Sequence, residues 1–497
     1  MTLTRATGSL LLLTVLNTLL LTSCKKSTDV NPSGTSAGTS STVATGTVTD
    51  LDVNNWILDN MKVYYYWNDK IPASPDKSQT PDKFFDSILY KYNATSNPTG
   101  DRFSWIQQSA DELKASLGGQ AKTPGMEFKL YLRSSGSTDV IGSVLYVLPN
   151  SPAQKAGMKR GDVFYKVNGT ALTTTNYADL LYGAGDTKTY TLATVQSTGL
   201  VNSDVTRSIT EVVLQEDPVF MDSVYTVGTK KIGYLIYNQF VPGVYNSTTQ
   251  KTDNTYDNKL DAVFGKFKAK GVNELILDFR YNPGGYVSSA TNLGSLIAKG
   301  VGTKSVFVRK EWNALITPEL QKQYGTDFFY DYLTQKANNI GDNLSRVYVL
   351  TTSSTASASE LVINGLKPYM NQQVYTIGTT SYGKNVGSIT ISDNTNKIKW
   401  GMQPIVSKSF NKDNQSDYST GFKPEVEVRE PLNLLPLGDT RETMLNEALF
   451  RISGTRLARR GAADDNKLPV VGSSVERKAG GSNMFFQLNG PLPVVGQ

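Results

Sequence analysis

The stretch that most constrains this chain is a junction. Val347-Tyr348-Val349-Leu350 is a short apolar run that reads as a buried strand. It passes directly into Thr351-Thr352-Ser353-Ser354-Thr355-Ala356-Ser357-Ala358-Ser359-Glu360. Leu361, Val362, Ile363 and Leu366 then take up helical spacing. A strand that turns through small hydroxyl residues into a helix belongs to an α/β layer. It can also present one serine beside the unpaired N–H groups of a helix start. Locally, the same residues are equally what a Ser/Thr-rich helix cap requires.

Composition decides which chemistry such a serine can have. The 497 residues include no histidine, which excludes Ser-His-Asp and Cys-His nucleophiles and any zinc site built on imidazole. A single cysteine, Cys24, leaves no intramolecular disulfide and no cysteine metal cluster. The base for a nucleophilic serine must therefore be a lysine, a carboxylate or an N-terminal amine. The formal charge of +6 comes without a basic block, so no nucleic-acid partner is expected. No metal or cofactor is expected either.

Residues 1–23 read as a secretory leader: Arg5, an apolar segment from Leu10 to Leu21, then small residues. The ending Leu21-Thr22-Ser23-Cys24 resembles a bacterial lipobox, which makes Cys24 the expected lipidation site. Residues 24–50 are Ser, Thr, Gly and Ala with almost no large apolar side chain, the composition of a flexible tether. The expected setting is the bacterial cell envelope, with the chain anchored through Cys24 to a membrane on its periplasmic or surface side.

Residues 51–117 carry helical stripes, Trp56, Ile57 and Met61 on one and Phe84, Phe85 and Ile88 on another, and predict a small helical domain. Residues 118–215 read as short strands: Met126–Leu132, Val140–Leu148, Asp162–Val167 and Thr187–Val195. Between the second and third, Ser151 caps a short helix that Pro152 begins and Gly157 ends. The order over Val147 to Leu172 resembles a PDZ domain of the bacterial protease-associated kind. That resemblance implies capture of extended chain ends by strand addition. The implied carboxylate loop is Gly125-Met126-Glu127-Phe128, where Glu127 is out of keeping because its charge repels a peptide C-terminus.

Residues 216–454 read as an α/β unit. Leu260, Val263, Phe264 and Phe267 define a helix that stops at Gly271. The buried strand Leu275-Ile276-Leu277 runs into Asp278-Phe279-Arg280-Tyr281-Asn282-Pro283-Gly284-Gly285. Strand Val374–Gly378 leads to Ser381-Tyr382-Gly383-Lys384, 27 residues after Ser357. A lysine in a dry pocket loses its charge and can take a serine proton; a lysine in a turn is otherwise an ordinary surface residue.

Thr355–Glu360, Tyr382-Gly383-Lys384 and the Asp278–Gly285 segment, in this order around a PDZ-like insert, resemble the carboxyl-terminal processing (tail-specific) proteases over roughly residues 53–454. The resemblance implies a ClpP/crotonase-like α/β peptidase core with a PDZ-like β domain and a small N-terminal helical domain. It implies Ser357 as nucleophile and Lys384 as base. It also implies an oxyanion hole from Gly284, Gly285 and Ala358, and polypeptide substrates read at unstructured C-termini. Two positions depart from the family pattern. The serine-to-lysine spacing is two residues longer, and Ser388 stands where many members place a glutamine that orients the amine. A catalytically inactive PDZ-bearing scaffold is the alternative these departures and Glu127 raise.

Residues 455–497 form a low-complexity tail that repeats one pentapeptide, Leu468-Pro469-Val470-Val471-Gly472 and Leu492-Pro493-Val494-Val495-Gly496. An unstructured end is the plain expectation; the alternative is an internal inhibitor lying in the PDZ groove or the active cleft.

Overall fold

Helix α1 (Asp50–Tyr64) starts where Thr49 accepts a hydrogen bond from the backbone of Asp52, so the expected tether ends just before residue 50. The structure, a computed structural model, describes residues 48–196, 199–456, 468–478, 484–487 and 490–493. The leader, Cys24 and most of the tether lie outside these residues. Among the described residues no helix is long and apolar enough to cross a membrane.

Helices α1, α2 (Pro81–Ser87) and α3 (Ala110–Leu117) make up the N-terminal part. Ile57, Met61, Phe84, Phe85 and Ile88 are buried as the spacing predicts, whereas Trp56 is only partly buried. They share one apolar core with Leu235, Phe264, Leu277 and Leu361 of the following α/β unit. The backbone N–H of Tyr66 donates to the Ile405 carbonyl at 2.8 Å, and Asn313 donates to the carbonyls of Val63 and Tyr65 at 2.9 Å. The helices are thus part of the packing of the α/β unit.

The PDZ-like part contains β1 (Met126–Leu132), β2 (Val140–Val147), β3 (Val163–Val167), helix α4 (Tyr177–Tyr182), β4 (Thr187–Gln196) and β5 (Gly199–Thr210). The sheet runs β1-β2-β3-β4-β5 with antiparallel pairing. It closes over a separate core that includes Phe128, Val144, Phe164 and Tyr190. Four of these strands fall where the sequence places them. The fifth, β5, is mostly polar with only Ile209 fully buried, which hid it from a reading based on apolar pattern.

The α/β unit begins with β6 (Val219–Val227), β7 (Lys230–Tyr237), α5 (Thr255–Ala269) and β8 (Glu274–Asp278). It continues with β9 (Gly285–Tyr286), α6 (Val287–Ile297), β10 (Ser305–Trp312), β11 (Tyr330–Leu333), β12 (Val347–Thr351) and α7 (Ala358–Leu366). Strands β13 (Val374–Gly378), β14 (Val386–Ser388), β15 (Ile405–Phe410), β16 (Val426–Glu427) and helix α8 (Thr443–Ser453) complete it. One sheet has the order β6-β7-β8-β12-β13-β16, parallel from β7 onward. Strands β8 and β12 are buried throughout and lie side by side, so the turns that follow them emerge at the same edge.

The tail is where expectation and structure part. Instead of an unstructured end, residues 470–473 form β17, antiparallel to β1, and residues 484–485 form β18. Strand β18 lies between β9 and β14 in a second sheet, of order β9-β18-β14-β15-β10-β11. The physical reason is that both hosts are sheet edges with backbone groups to satisfy, and the tail supplies the missing strand to each.

Candidate active site

After β12 the chain is tied, hydroxyl by hydroxyl, to the turn that follows β8. Thr352 donates to the Arg280 carbonyl, Thr355 to Phe279 at 2.8 Å and Ser359 to Asn282 at 3.1 Å. The backbone of Ala356 also donates to the Asn282 carbonyl at 3.1 Å. Ser353 faces solvent. Ser357 differs from all of these. Its backbone is at φ +62°, ψ −112°, a region that costs a non-glycine residue roughly 1–3 kcal/mol. Its hydroxyl is fully buried and has no hydrogen-bond partner among the described residues. Ser357 is the N-cap of α7, and the free hydroxyl on its strained backbone leaves it a poised group.

Lys384 is fully buried as well. Burial pulls its pKa down from 10.5 to about 7, while Asp101 and Glu360 hold it up and Arg102 pushes it further down. Its Nζ lies 4.7 Å over the Phe103 ring. The turn that carries it needs a glycine: Gly383 sits at φ +93°, and a Cβ there would meet the Gly421 nitrogen and the Ser419 carbonyl at 2.5 Å.

Glu360 joins the two halves. One of its carboxylate oxygens, Oε2, accepts from the backbone N–H of Ser357 and from that of Lys384, each at 2.8 Å. The two backbones can therefore be no farther apart than twice that distance. The other oxygen accepts from Ser381 Oγ at 2.6 Å and the Gly383 N–H at 2.7 Å. Tyr382 adds a backbone bond to the Thr355 carbonyl at 2.9 Å. Burial raises the Glu360 pKa to about 7 in spite of these four donors.

The surroundings of Lys384 come partly from the N-terminal helical part. Asp101 is buried and accepts from Tyr65 OH at 2.9 Å and from the backbone of Phe103 at 2.8 Å. Arg102 donates to the carbonyls of Gly383 at 2.8 Å and Ser419 at 3.1 Å, bracing the lysine turn from outside. The helical stripes of residues 51–117 do not include these residues. Nothing local marks Asp101 as the neighbour of a lysine 283 positions later; only the packing of the two parts brings them together.

Ser388 is fully buried and faces the tail. Its hydroxyl donates to the Met484 carbonyl of the tail at 3.3 Å. Strand β18 is its neighbour.

In the glycine turn, Gly284 is at φ +108° and Gly285 at φ +133°. A Cβ on Gly285 would lie 2.1 Å from the Phe240 carbonyl. The Gly284 N–H donates to Asn282 Oδ1 at 2.9 Å, so it is already engaged. Ala358 is the first residue of α7, where N–H groups have no intrahelical partner. Beneath the turn, Arg280 is clamped by Asp278 and Glu442 at 2.8 Å and by Glu430 at 3.0 Å. Arg160 of the PDZ-like part joins this cluster, 2.9 Å from Glu430 and 2.6 Å from Tyr281 OH. Burial disfavours charge on Glu430, but Arg160 and Arg280 outweigh it and hold its pKa down at about 2.

The loop Gly125-Met126-Glu127-Phe128 leads into β1 as expected, and the tail fills it. Ser474 accepts from the Phe128 N–H at 2.8 Å, and its own N–H donates to the Phe128 carbonyl at 3.0 Å. Glu127 faces Lys478 at 3.6 Å. Among the described residues no cluster of acidic side chains is arranged to hold a metal ion.

With the geometry in place, comparison with known proteins is direct. The sequence profile described as Peptidase family S41 matches residues 231–428, the Peptidase S41 N-terminal domain matches 52–105, and a PDZ domain matches 143–192. The chain belongs to peptidase family S41, a class of serine peptidases. A crystal structure of an S41 protease from Bacteroides fragilis is 30% identical and superposes with a TM-score of 0.64 over 80% of this chain and 97% of that one. A "Probable CtpA-like serine protease" of Staphylococcus aureus is 24% identical over 79% of this chain and 75% of its own length. The "Carboxy-terminal processing protease CtpA" of Bacillus subtilis is 26% identical over 58% of this chain and 54% of that protein.

Proposed function

We propose that the chain is a serine endopeptidase of the cell envelope, lipid-anchored through Cys24, that works with a Ser357–Lys384 dyad. The observation that carries this is Glu360 Oε2, which holds the backbones of a strained serine and a fully buried lysine on one atom. Neutral Lys384 takes the Ser357 proton as Oγ attacks a peptide carbonyl. The oxyanion that forms lies between the N–H groups of Gly285 and Ala358. The lysine ammonium then protonates the leaving amine as the C–N bond breaks, leaving an acyl-enzyme. Water, deprotonated by the same amine, releases the acid. The PDZ-like domain recognises polypeptide in extended form. A lysine whose pKa is drawn to about 7 counts against the inactive scaffold.

The test is degradation of a permanently unfolded protein by wild-type chain and by Ser357→Ala. Loss of cleavage in the variant is expected; equal rates in the two would sink the dyad.

A further inference from the structure

Strand β17 enters beside Tyr131 and leaves toward Glu127, pairing Val470 with Tyr131 and Ser473 with Lys129. The Leu132 N–H donates to the Pro469 carbonyl at 2.8 Å. Val471 packs into the apolar core of the PDZ-like domain. A peptide ligand added to this edge and running toward the loop would have this polarity. What reaches the loop, however, is no carboxylate. The chain turns through Ser474 and residues 475–477, and Lys478 goes into a socket. Its Nζ lies 2.6 Å from Glu216 and 2.7 Å from Tyr146 OH, with Glu127 at 3.6 Å. The side chains of Lys478, Glu216 and Glu127 are only 11–12% exposed. Two carboxylates facing one small site repel each other and any third, and an ammonium satisfies both. Burial works against the charge on Lys478, yet Glu216 and Glu127 raise its pKa. The residue that looks wrong for binding a C-terminus is therefore right for binding a lysine.

Six positions after Lys478 the tail forms β18. Met484 pairs with Gly285, Phe485 pairs with Tyr286 and Ser388, and the Phe486 N–H donates to the Ser388 carbonyl at 3.0 Å. The Phe486 ring occupies the space a Cβ on Gly387 would need, approaching it to 2.2 Å. This segment thus runs along the strand that starts with the candidate oxyanion glycine and the strand that follows Lys384. Farther on, Tyr64 OH donates to the Pro493 carbonyl at 2.9 Å.

The geometry points to the groove of the PDZ-like domain as a receptor for an internal strand-turn-lysine peptide, filled in this chain by residues 468–478, whose docking holds residues 484–486 in the cleft between β9 and β14. The groove half stands on the contacts of Lys478 alone. The cleft half rests on the peptidase reading above. A short covalent link makes the two segments cooperate, because seating the first keeps the second at high effective concentration.

The experiment compares full-length wild type with full-length Lys478→Glu, which sets a third carboxylate in the socket. Hydrogen exchange at the Phe128 and Leu132 amides reports the groove, and acylation of Ser357 by a serine-directed probe reports the cleft. Both rates are expected to rise at least about tenfold in the variant. An amidated synthetic peptide of residues 468–478, added in trans, is expected to restore protection at the two amides and to leave acylation fast, because it carries no link to the segment in the cleft; the restored protection also shows that the variant is folded. Unchanged amide exchange in the variant overturns the groove half. Equal rescue by a peptide ending at Gly472 with a free carboxylate overturns the lysine selectivity. Faster exchange with unchanged, measurable acylation overturns the coupling to the cleft. Absence of acylation in every sample, with exchange as expected, sinks the peptidase reading and leaves the groove receptor standing.

Discussion

A lysine ammonium taken out of water loses its hydration, and at Lys384 burial outweighs the two carboxylates that oppose it. The neutral amine is the form that can accept a proton, so activity should rise with pH through the lysine's pKa of about 7. Below that value kcat/KM is expected to fall roughly tenfold per pH unit, measured with a peptide substrate. Asp101 is the larger of the two influences that hold the pKa up. Asp101→Asn should therefore move the acid limb of the profile to lower pH, whereas a purely structural role would lower the rate without moving the limb. Ser357 and Lys384 were singled out by motifs that resemble those of a protease family, and the absence of histidine narrowed the bases a serine could use. Asp101 and Arg102 were not, since a carboxylate in a loop carries no sign of which side chain the fold will set beside it.

The turns after β8 and β12 work as one element because their strands are parallel neighbours and their hydroxyls and carbonyls interlock. Replacing Gly285 by alanine forces a Cβ to 2.1 Å from the Phe240 carbonyl at a φ that alanine avoids. The turn must then move, with an expected loss of about 10²–10³ in acylation rate, as for removal of an oxyanion donor. Stopped-flow acylation measures it. Arg280 braces the same turn against three buried carboxylates. Arg280→Met should cost about 3–5 kcal/mol in urea denaturation, because it strands those charges without their partner. The glycine pair and the strand before it were readable from the apolar run and the Pro-Gly-Gly turn. That Gly284 spends its N–H on Asn282 depends on a rotamer, which only packing selects.

Across the whole molecule, the N-terminal helices are continuous with the peptidase core, while the PDZ-like sheet closes over a core of its own. A chain starting at residue 118 loses Val53, Ile57, Met61 and Phe84 from that shared core and Asp101 and Phe103 from the lysine pocket. It should show no sharp unfolding transition in urea followed by circular dichroism, and no activity. By itself the sequence determined the order of parts, the α/β class and the strand-to-helix junction at Ser357, because strand runs, glycine turns and residue types are local or countable. Only the tertiary structure decided that a helical part supplies the walls of the lysine pocket, that Ser388 faces the tail, and that Glu127 meets Lys478. Those are pairings between residues tens to hundreds of positions apart, chosen by which open strand edges and buried charges remain to be satisfied once the sheets have formed.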